Sequence, residues 1–317
     1  MNCVLGIDTS CYTTSVALAQ PDHVAASRRM LLPVPEGERG LRQSEAVFAH
    51  IKQLPDLMDE LFSACPEARV TGVCVSAAPC DGEDSYMPVF RAGVSTARSV
   101  AAALRVPLWT TTHQRGHVRA ALAETGLTPG PLLAVHLSGG TTDVLQVADG
   151  RIVKLGSSLD LHAGQLVDRI GVRLGLPFPC GPHLEKLAVQ GTAQGLLPVS
   201  MAGVDCHLSG AETRLLHELA RGLSPEDGAA EVYHLLCRTV LRMLDAAREK
   251  TGVSRVLLAG GVASSSLFRQ MLLQRCRQRK MGLQLFFGKP EYSGDNACGV
   301  ALIGAEKQMG GTGGWQL

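Results

Sequence analysis

A strand–turn–strand pattern occurs twice in this chain, and any fold for it must hold two equivalent copies. The clearer copy is Leu132 to Val147. An apolar run from Leu132 to Leu137 meets Ser138-Gly139-Gly140, and a second run with Val144, Leu145 and Val147 follows. Gly-Gly between two strand-like runs predicts a hairpin, because such a turn calls for positive φ, which glycine adopts at low steric cost. The turn also presents backbone N–H groups beside Ser and Thr hydroxyls, with no side chain to hold a ligand off, and that suits an anion such as a phosphate. The other copy, VLGIDTSCYTTSVALAQ, has a Ser/Thr-rich turn between its two runs. A third strand follows each, around His23 to Leu32 and, after an Asp149-Gly150 turn, Arg151 to Ser157.

Both triplets lead into helix, strand, helix and strand. In the first half these are a helix over Gln43 to Ala64 kinked at Pro55, a strand at Arg69 to Ala77, a helix at Gly93 to Leu104 and a strand at Pro107 to Thr111. In the second half, after inserted helices, they are a strand at Arg255 to Leu258, a helix at Ser265 to Gln278 and a strand at Leu283 to Phe287. Two βββαβαβ halves predict a duplicated, two-lobed α/β architecture that resembles actin, hexokinase and Hsp70-type proteins. The likeness implies a nucleotide cleft between the lobes, with one hairpin from each lobe at the phosphates. The expected division is residues 1–125 and 126–294, with a last helix over 295–309 packing back on the first lobe.

Length and charge are consistent with this. A chain of 317 residues can bury two cores, and a formal net charge of +1 makes no global demand for nucleic acid or an acidic membrane. No apolar run reaches the roughly 18 residues of a membrane span, and no leader pattern precedes the first strand, so a cytoplasmic protein is expected. Ten cysteines without a Cys-x-x-Cys pair are expected to be reduced and mostly buried. The Gly-rich tail from Gly310 is expected to be mobile.

Several residues stand out as chemistry. Asp8 lies where the first strand enters its turn, and a carboxylate there holds a metal or water near phosphates, or merely closes a turn. His113 and His117, four apart in TTHQRGHVRAAL, share one helical face in chelating geometry, or are a surface pair. Gln114 in place of a glutamate removes the zinc-hydrolase motif. Asp295, before a helix of small residues, is either an N-cap or a third metal ligand. Asp168 and Gly181 are candidates for a ribose or small substrate, although Asp168 is also placed to pair with Arg169 or Arg173. Gly260-Gly261, before a helix start at about Ser264 to Ser266, let a flat ring or a phosphate approach the backbone.

VLGIDTSC, H-x-x-x-H, LSGG, LDLHAGQLVDRIGVRLGLPFPCGP, LSGAET, AGGV and GDN occur in the order found in the TsaD family, over about residues 3–305. That family was formerly called O-sialoglycoprotein endopeptidases. The resemblance implies an actin-like fold and a divalent metal, iron or zinc, on His113, His117 and Asp295. It also implies ATP or ADP, with magnesium, or an acyl-adenylate on Leu137, Ser138, Gly139, Gly140, Thr141, Asp168 and Gly181, with Gly260, Gly261 and Ser265 near the adenosine. The implied reaction moves a threonylcarbamoyl group from its adenylate to N6 of a tRNA adenosine. Asp8 and the residue at position 12 are the candidate catalytic pair. The implied partners are tRNA and a TsaB-like or other actin-like chain, or a second copy of this one.

The chain departs from the family around the nucleotide. The family's acidic residue at position 12 is Tyr12, its Ser-Gly-Gly-His is Ser138-Gly139-Gly140-Thr141, and its Gly-Glu is Gly164-Gln165. Its Ser-Gly-Leu-Lys-Thr is Ser209-Gly210-Ala211-Glu212-Thr213, its Asn after Gly-Gly-Val is Ser265, and its Gly-Pro-Gly loop is Ala78-Pro79-Cys80 with added residues. The metal set is complete, so a diverged paralogue is expected. No Ser or Cys nucleophile with a paired base is visible, so direct attack by an amine is expected. Two other readings stay open: a non-catalytic nucleotide-binding partner of a true transferase, and a metallopeptidase.

Overall fold

The computed structural model describes residues 1–10, 12–33, 41–82, 84–310 and 315. Cys11 of the first motif and most of the Gly-rich tail lie outside the described residues. The chain forms two compact units, Met1–Pro129 with Glu291–Leu317, and Gly130–Pro290.

The first unit begins with β1 (Asn2–Ser10), β2 (Thr13–Ala19) and β3 (Val24–Leu31), then α1 (Gln43–Ala64), β4 (Arg69–Ala78), α2 (Phe90–Leu104), β5 (Leu108–Thr112) and α3 (His113–Leu122). Its sheet has the order β3-β2-β1-β4-β5, with β1 antiparallel to β2 and parallel to β4. The second unit repeats the order. It contains β6 (Leu132–Leu137), β7 (Thr142–Ala148), β8 (Arg151–Ser157), α4 (Ala163–Arg173), α5 (Gly181–Ala188), a ribbon of β9 (Ser200–Ala202) and β10 (Asp205–His207), α6 (Ser209–Ala220), α7 (Pro225–Thr251), β11 (Arg255–Ala259), α8 (Ser266–Gln278) and β12 (Gln284–Phe287). Its sheet reads β8-β7-β6-β11-β12, so the duplicated pattern is a duplicated topology. The helix α9 (Cys298–Gln308) then returns to the first unit.

Burial explains why β1 and β2 read as unbroken apolar runs rather than alternating ones. All of β1 after Asn2 and all of β2 are buried, as expected for strands covered on both faces. One face carries Leu54, Leu57 and Leu61 of α1 with Ala97 and Ala101 of α2. The other carries α9, whose Ala301 and Leu302 pack with Ala17 and Ala19. Small residues set how closely α9 docks. A Cβ on Gly6 would stand 2.5 Å from the Ala301 amide, and one on Gly299 would stand 1.9 Å from the Gly116 carbonyl of α3. Helix α9 is thereby pressed on both the sheet and α3, which places the loop before α9 beside the first turn of α3. The helix α1 runs through Pro55 as a single element. In the second unit α7 is the central helix, with Tyr233, Leu236, Val240 and Leu244 in one cluster with Leu133, Val135 and Ile170.

Candidate functional site

His113 is the first residue of α3, where β5 ends. The Thr112 hydroxyl caps the helix by accepting from Arg115 N at 3.3 Å. The i, i+4 spacing puts both imidazoles on one face, with ring centroids 4.3 Å apart. Nε2 of His113 and Nε2 of His117 face each other at 2.9 Å. The Asp295 Oδ1 lies 3.1 Å from His117 Nε2 and 3.6 Å from His113 Nε2. One ligand atom from each of the three residues lies within 4.8 Å of the others.

Asp295 does not cap α9. The helix begins at Cys298, and the Asn296 Oδ1 accepts from the Cys298 amide at 3.0 Å. With Asn296 at the helix end, the half-buried Asp295 carboxylate faces two imidazoles, a stronger partner for an anion than one amide. Thr13 donates to its Oδ2 at 3.3 Å, and Arg29 donates to its backbone carbonyl at 3.4 Å.

Asp8 sits behind this trio. It is fully buried, accepts from the Ser76 hydroxyl, and its two oxygens face Nδ1 of His113 at 3.0 and 3.1 Å. An ionised carboxylate only accepts, so Asp8 holds a proton on Nδ1 and leaves Nε2 as the ring atom directed toward His117 and Asp295. Asp8 is thus an orienting group for His113 rather than an open contact at the mouth of a turn. Burial opposes a charge on His113, but Asp8 and Asp295 outweigh it and push the imidazole up to about 10. Burial likewise opposes the Asp295 charge, yet hydrogen bonds from His113 and His117 hold the carboxyl far below its usual range. Two imidazole nitrogens and a carboxylate facing inward, with the first imidazole backed by a second carboxylate, form a donor set suited to a divalent transition metal.

Tyr12 lies in the turn between β1 and β2 and is 46% exposed. Its backbone carbonyl accepts from Leu32 N at 2.8 Å. Its neighbour Thr13 reaches Asp295; among the described residues no hydrogen bond joins the Tyr12 phenol to the trio.

In the second unit, the β6–β7 turn closes with Ser138 N donating to the Thr141 carbonyl at 2.8 Å. Neither Gly139 nor Gly140 has a positive φ, which corrects the expectation that backbone angle demands glycine here. A Cβ on either would meet nothing within 4 Å. The turn is held by α4 instead. Gly164 N donates to the Ser138 carbonyl at 3.0 Å, and Ala163 N donates to the Thr142 hydroxyl at 2.7 Å. A Cβ on Gly164 would stand 2.5 Å from Gly139 N. Gly260 has φ +101°, and a Cβ there would lie 2.2 Å from the Leu137 carbonyl, so β11 ends against the root of the same turn. Gly261 opens a 3-10 turn (Val262–Ser264), and no neighbour crowds the position of its missing Cβ.

Asp168 is one turn along α4 from Gly164. It accepts from Cys180 N at 2.9 Å, at the start of α5, instead of pairing with Arg169 or Arg173. Gly181 is the first residue of α5, and its carbonyl accepts from the Tyr233 hydroxyl at 3.2 Å. The remaining departures have structural partners. Gln165 accepts from His162 N at 3.1 Å, Glu212 accepts from Arg169 at 3.2 Å, and Ser265 caps α8 by accepting from Phe268 N at 3.1 Å. Sequence reasoning missed Ser76 behind Asp8, and also Asp81, which receives a bidentate pair from Arg115 at 2.7 and 2.8 Å and ties the loop after β4 to α3. A serine inside an apolar strand is the one signal that pointed to Ser76.

The folds of both units define the class: an actin-like α/β protein. Structures of the class include an activator of 2-hydroxyisocaproyl-CoA dehydratase from Clostridium difficile with bound ADPNP (TM-score 0.55, 15% identity, covering 98% of this chain and 96% of that one). They also include a ROK family glucokinase from Streptomyces griseus (TM-score 0.57, 10% identity, 96% and 99%). Within that class the chain belongs to the TsaD family, tRNA N6-adenosine threonylcarbamoyltransferase, whose model matches residues 35–302. It is 28% identical over 321 residues to the tRNA N6-adenosine threonylcarbamoyltransferase of Carboxydothermus hydrogenoformans, covering 97% of this chain and 93% of that one. It is 30% identical over 300 residues to a probable bifunctional tRNA threonylcarbamoyladenosine biosynthesis protein of Methanothermobacter thermautotrophicus, covering 95% of this chain. The chain spans 55% of the length of that bifunctional relative. No described helix is long and apolar enough to cross a membrane.

Proposed function

We propose that this chain is a metal- and nucleotide-dependent transferase of the threonylcarbamoyl type, with activity reduced or redirected relative to its family. The observation that carries this is the convergence of His113, His117 and Asp295, with Asp8 behind His113, in a chain of this family. These three residues would hold one divalent metal, iron or zinc. When bound, such an ion supplies Lewis acidity toward a carbonyl or phosphate oxygen.

The chain's own residues supply the rest. The open Gly139-Gly140 turn lets phosphate oxygens approach backbone N–H groups, and Gly261, after the close-packed Gly260, leaves room for the adenosine. Asp168 and Gly181 are proposed to contact the nucleotide or substrate next to them. In the transfer, the N6 amine of a tRNA adenosine forms a bond to the carbamoyl carbon. The bond from that carbon to the adenylate phosphate oxygen breaks, AMP leaves with the electron pair, and the amine gives up a proton.

A non-catalytic nucleotide-binding partner of another transferase is the second reading, and Tyr12 favours it: a neutral phenol stands where the family has an acid. No base of the zinc-hydrolase kind follows His113, which weighs against peptidase action. The deciding experiment incubates purified protein with threonylcarbamoyl-adenylate and tRNA, with and without candidate actin-like partner chains. Modified adenosine in the digested tRNA is the readout. Transfer that needs this chain and disappears in His113→Ala supports the enzyme. Transfer that is unchanged in His113→Ala, or that never depends on this chain, refutes it.

A further inference from the structure

Charge is distributed unevenly along the chain. Residues 250–290 hold eight of its 30 Lys and Arg and none of its 29 Asp and Glu, so the rest of the chain is net negative. Five of the eight are Arg275, Arg277, Arg279, Lys280 and Arg269, on α8 and the two residues after it. Arg269 is spent on structure, donating to the Ala263 and Gly288 carbonyls. Arg277, Arg279 and Lys280 are exposed and Arg275 half-buried. Among the described residues the ion pairs of this unit join Lys154 to Asp143, Arg169 to Glu212, Arg214 to Glu218, His207 to Asp160 and His234 to Glu231, and none takes up the cations at the end of α8.

The cluster lies beside α7, on which α8 packs. Burial holds the His234 imidazole of α7 below its ordinary value, and Arg275 and Arg238 push it the same way against Glu231. Arg275 and Arg279 are likewise both felt at Cys237. Glu231, beside His234, is 1% exposed and accepts from the amides of Gln194, Gly195 and Leu196. Arg238, in the middle of α7, is half-buried and donates to the Leu197 carbonyl at 3.1 Å, so like Arg269 it is spent on structure. That leaves three arginines and a lysine at the end of α8, in no ion pair among the described residues, as a site for a polyanion.

We infer that the C-terminal end of α8 forms a docking surface for the phosphate backbone of a structured RNA, with Arg275, Arg277, Arg279 and Lys280 as its phosphate contacts. Arginine predominates, and its planar fork matches phosphate oxygens. Exposed glutamines Gln270, Gln274 and Gln278 lie between the cations and suit sugar and phosphate oxygens. A membrane surface fits less well, because no large hydrophobic residue between Val189 and Met309 is exposed, and interfacial helices bind lipid with an apolar face. The inference deepens the proposed tRNA reading and rests on it for the choice of polyanion.

The test measures binding of an unmodified tRNA transcript by fluorescence anisotropy at several salt concentrations. Wild type is compared with Arg275→Gln/Arg277→Gln/Arg279→Gln, with the same three positions changed to Lys, and with Lys52→Gln/Arg98→Gln/Arg151→Gln as a matched loss of charge elsewhere. The glutamine triple is expected to lose roughly tenfold or more in affinity, and its log–log salt slope to become shallower by about 2. The lysine triple should keep the slope, and the matched control should keep both. A glutamine triple that binds like wild type, a matched control that loses as much, or a wild type that does not bind tRNA at low salt overturns the docking surface. So does stronger capture by phosphatidylserine vesicles than by tRNA. The transfer assay separates this from the function itself. Absence of transfer with tRNA still held through this face refutes only the transferase reading. Full transfer by the glutamine triple with unchanged tRNA KM refutes only the docking surface.

Discussion

Replacing Gly164 and replacing Gly140 should have opposite consequences, although both glycines belong to the same corner of the second unit. A Cβ on Gly164 would stand 2.5 Å from Gly139 N, 2.6 Å from the Ser138 carbonyl carbon and 2.7 Å from its oxygen, all backbone atoms. No side-chain rotation relieves such contacts, so Gly164→Ala must lift α4 from the hairpin turn or bend the turn. Overpacking of this kind costs about 1–3 kcal/mol. For a domain of this size that lowers the melting midpoint by roughly 3–10 °C. It also strains the bond from Gly164 N to the Ser138 carbonyl. Gly140→Val, in contrast, adds a side chain where nothing lies within 4 Å and φ is not positive. Its effect on stability should stay within about 0.5 kcal/mol. If the turn approaches phosphates as proposed, the valine should cut ADP affinity by at least about tenfold, or 1.4 kcal/mol. Differential scanning calorimetry of the three proteins, with isothermal titration of ADP into each, reads both quantities. A Gly164→Ala protein as stable as wild type would refute the close-packing argument. A Gly140→Val protein that binds ADP normally would remove the turn from the nucleotide site.

Asp8→Asn keeps the shape behind His113 but replaces an acceptor-only group with one that also donates; metal affinity, followed by the visible spectrum on cobalt titration, should fall by roughly 10–100-fold, and an unchanged affinity would contradict the orienting role. Asp160 opposes its own burial with hydrogen bonds from Ser209, Leu208 and Leu161, which lower its pKa to about 2. A depressed carboxylate pKa contributes stability that is present above the unfolded value of 3.8 and lost as pH falls toward 2. Because Asp160 is exposed and its bonds are screened by solvent, Asp160→Asn should therefore cost no more than about 1 kcal/mol at pH 7 and almost nothing near pH 2, as read by denaturant titration at each pH. An equal penalty at both pH values would discard that assignment. Tyr12→Asp should raise threonylcarbamoyl transfer if the missing acid limits the chain; robust transfer by the unmodified protein shows that Tyr12 is no handicap.

What could be read along the chain was what depends on local periodicity and on composition. The two strand–turn–strand patterns, the helical spacing of apolar residues within Gln43 to Ala64, and the unbroken apolar runs of β1 and β2 each follow from neighbours a few residues apart, so the duplicated α/β order was legible, although Phe48 and Ile51 of that spacing are exposed and Leu57 is buried in their place. So was the shared face of His113 and His117, because four residues make about one helical turn. What lies far apart in sequence was decided by packing. Asp295 came to the imidazoles because Gly6 and Gly299 let α9 press on β1 and α3, and its capping duty passed to Asn296. Asp8 turned out to orient His113 because β4 brings Ser76 to its other side, and nothing in the spacing of residues 8, 76 and 113 announces that. The Gly139-Gly140 turn needs glycine for neither φ nor packing, and only the folded chain shows that. Local geometry is a property of short windows of sequence, whereas the partner of a buried charge is chosen by which helices can approach closely enough to reach it.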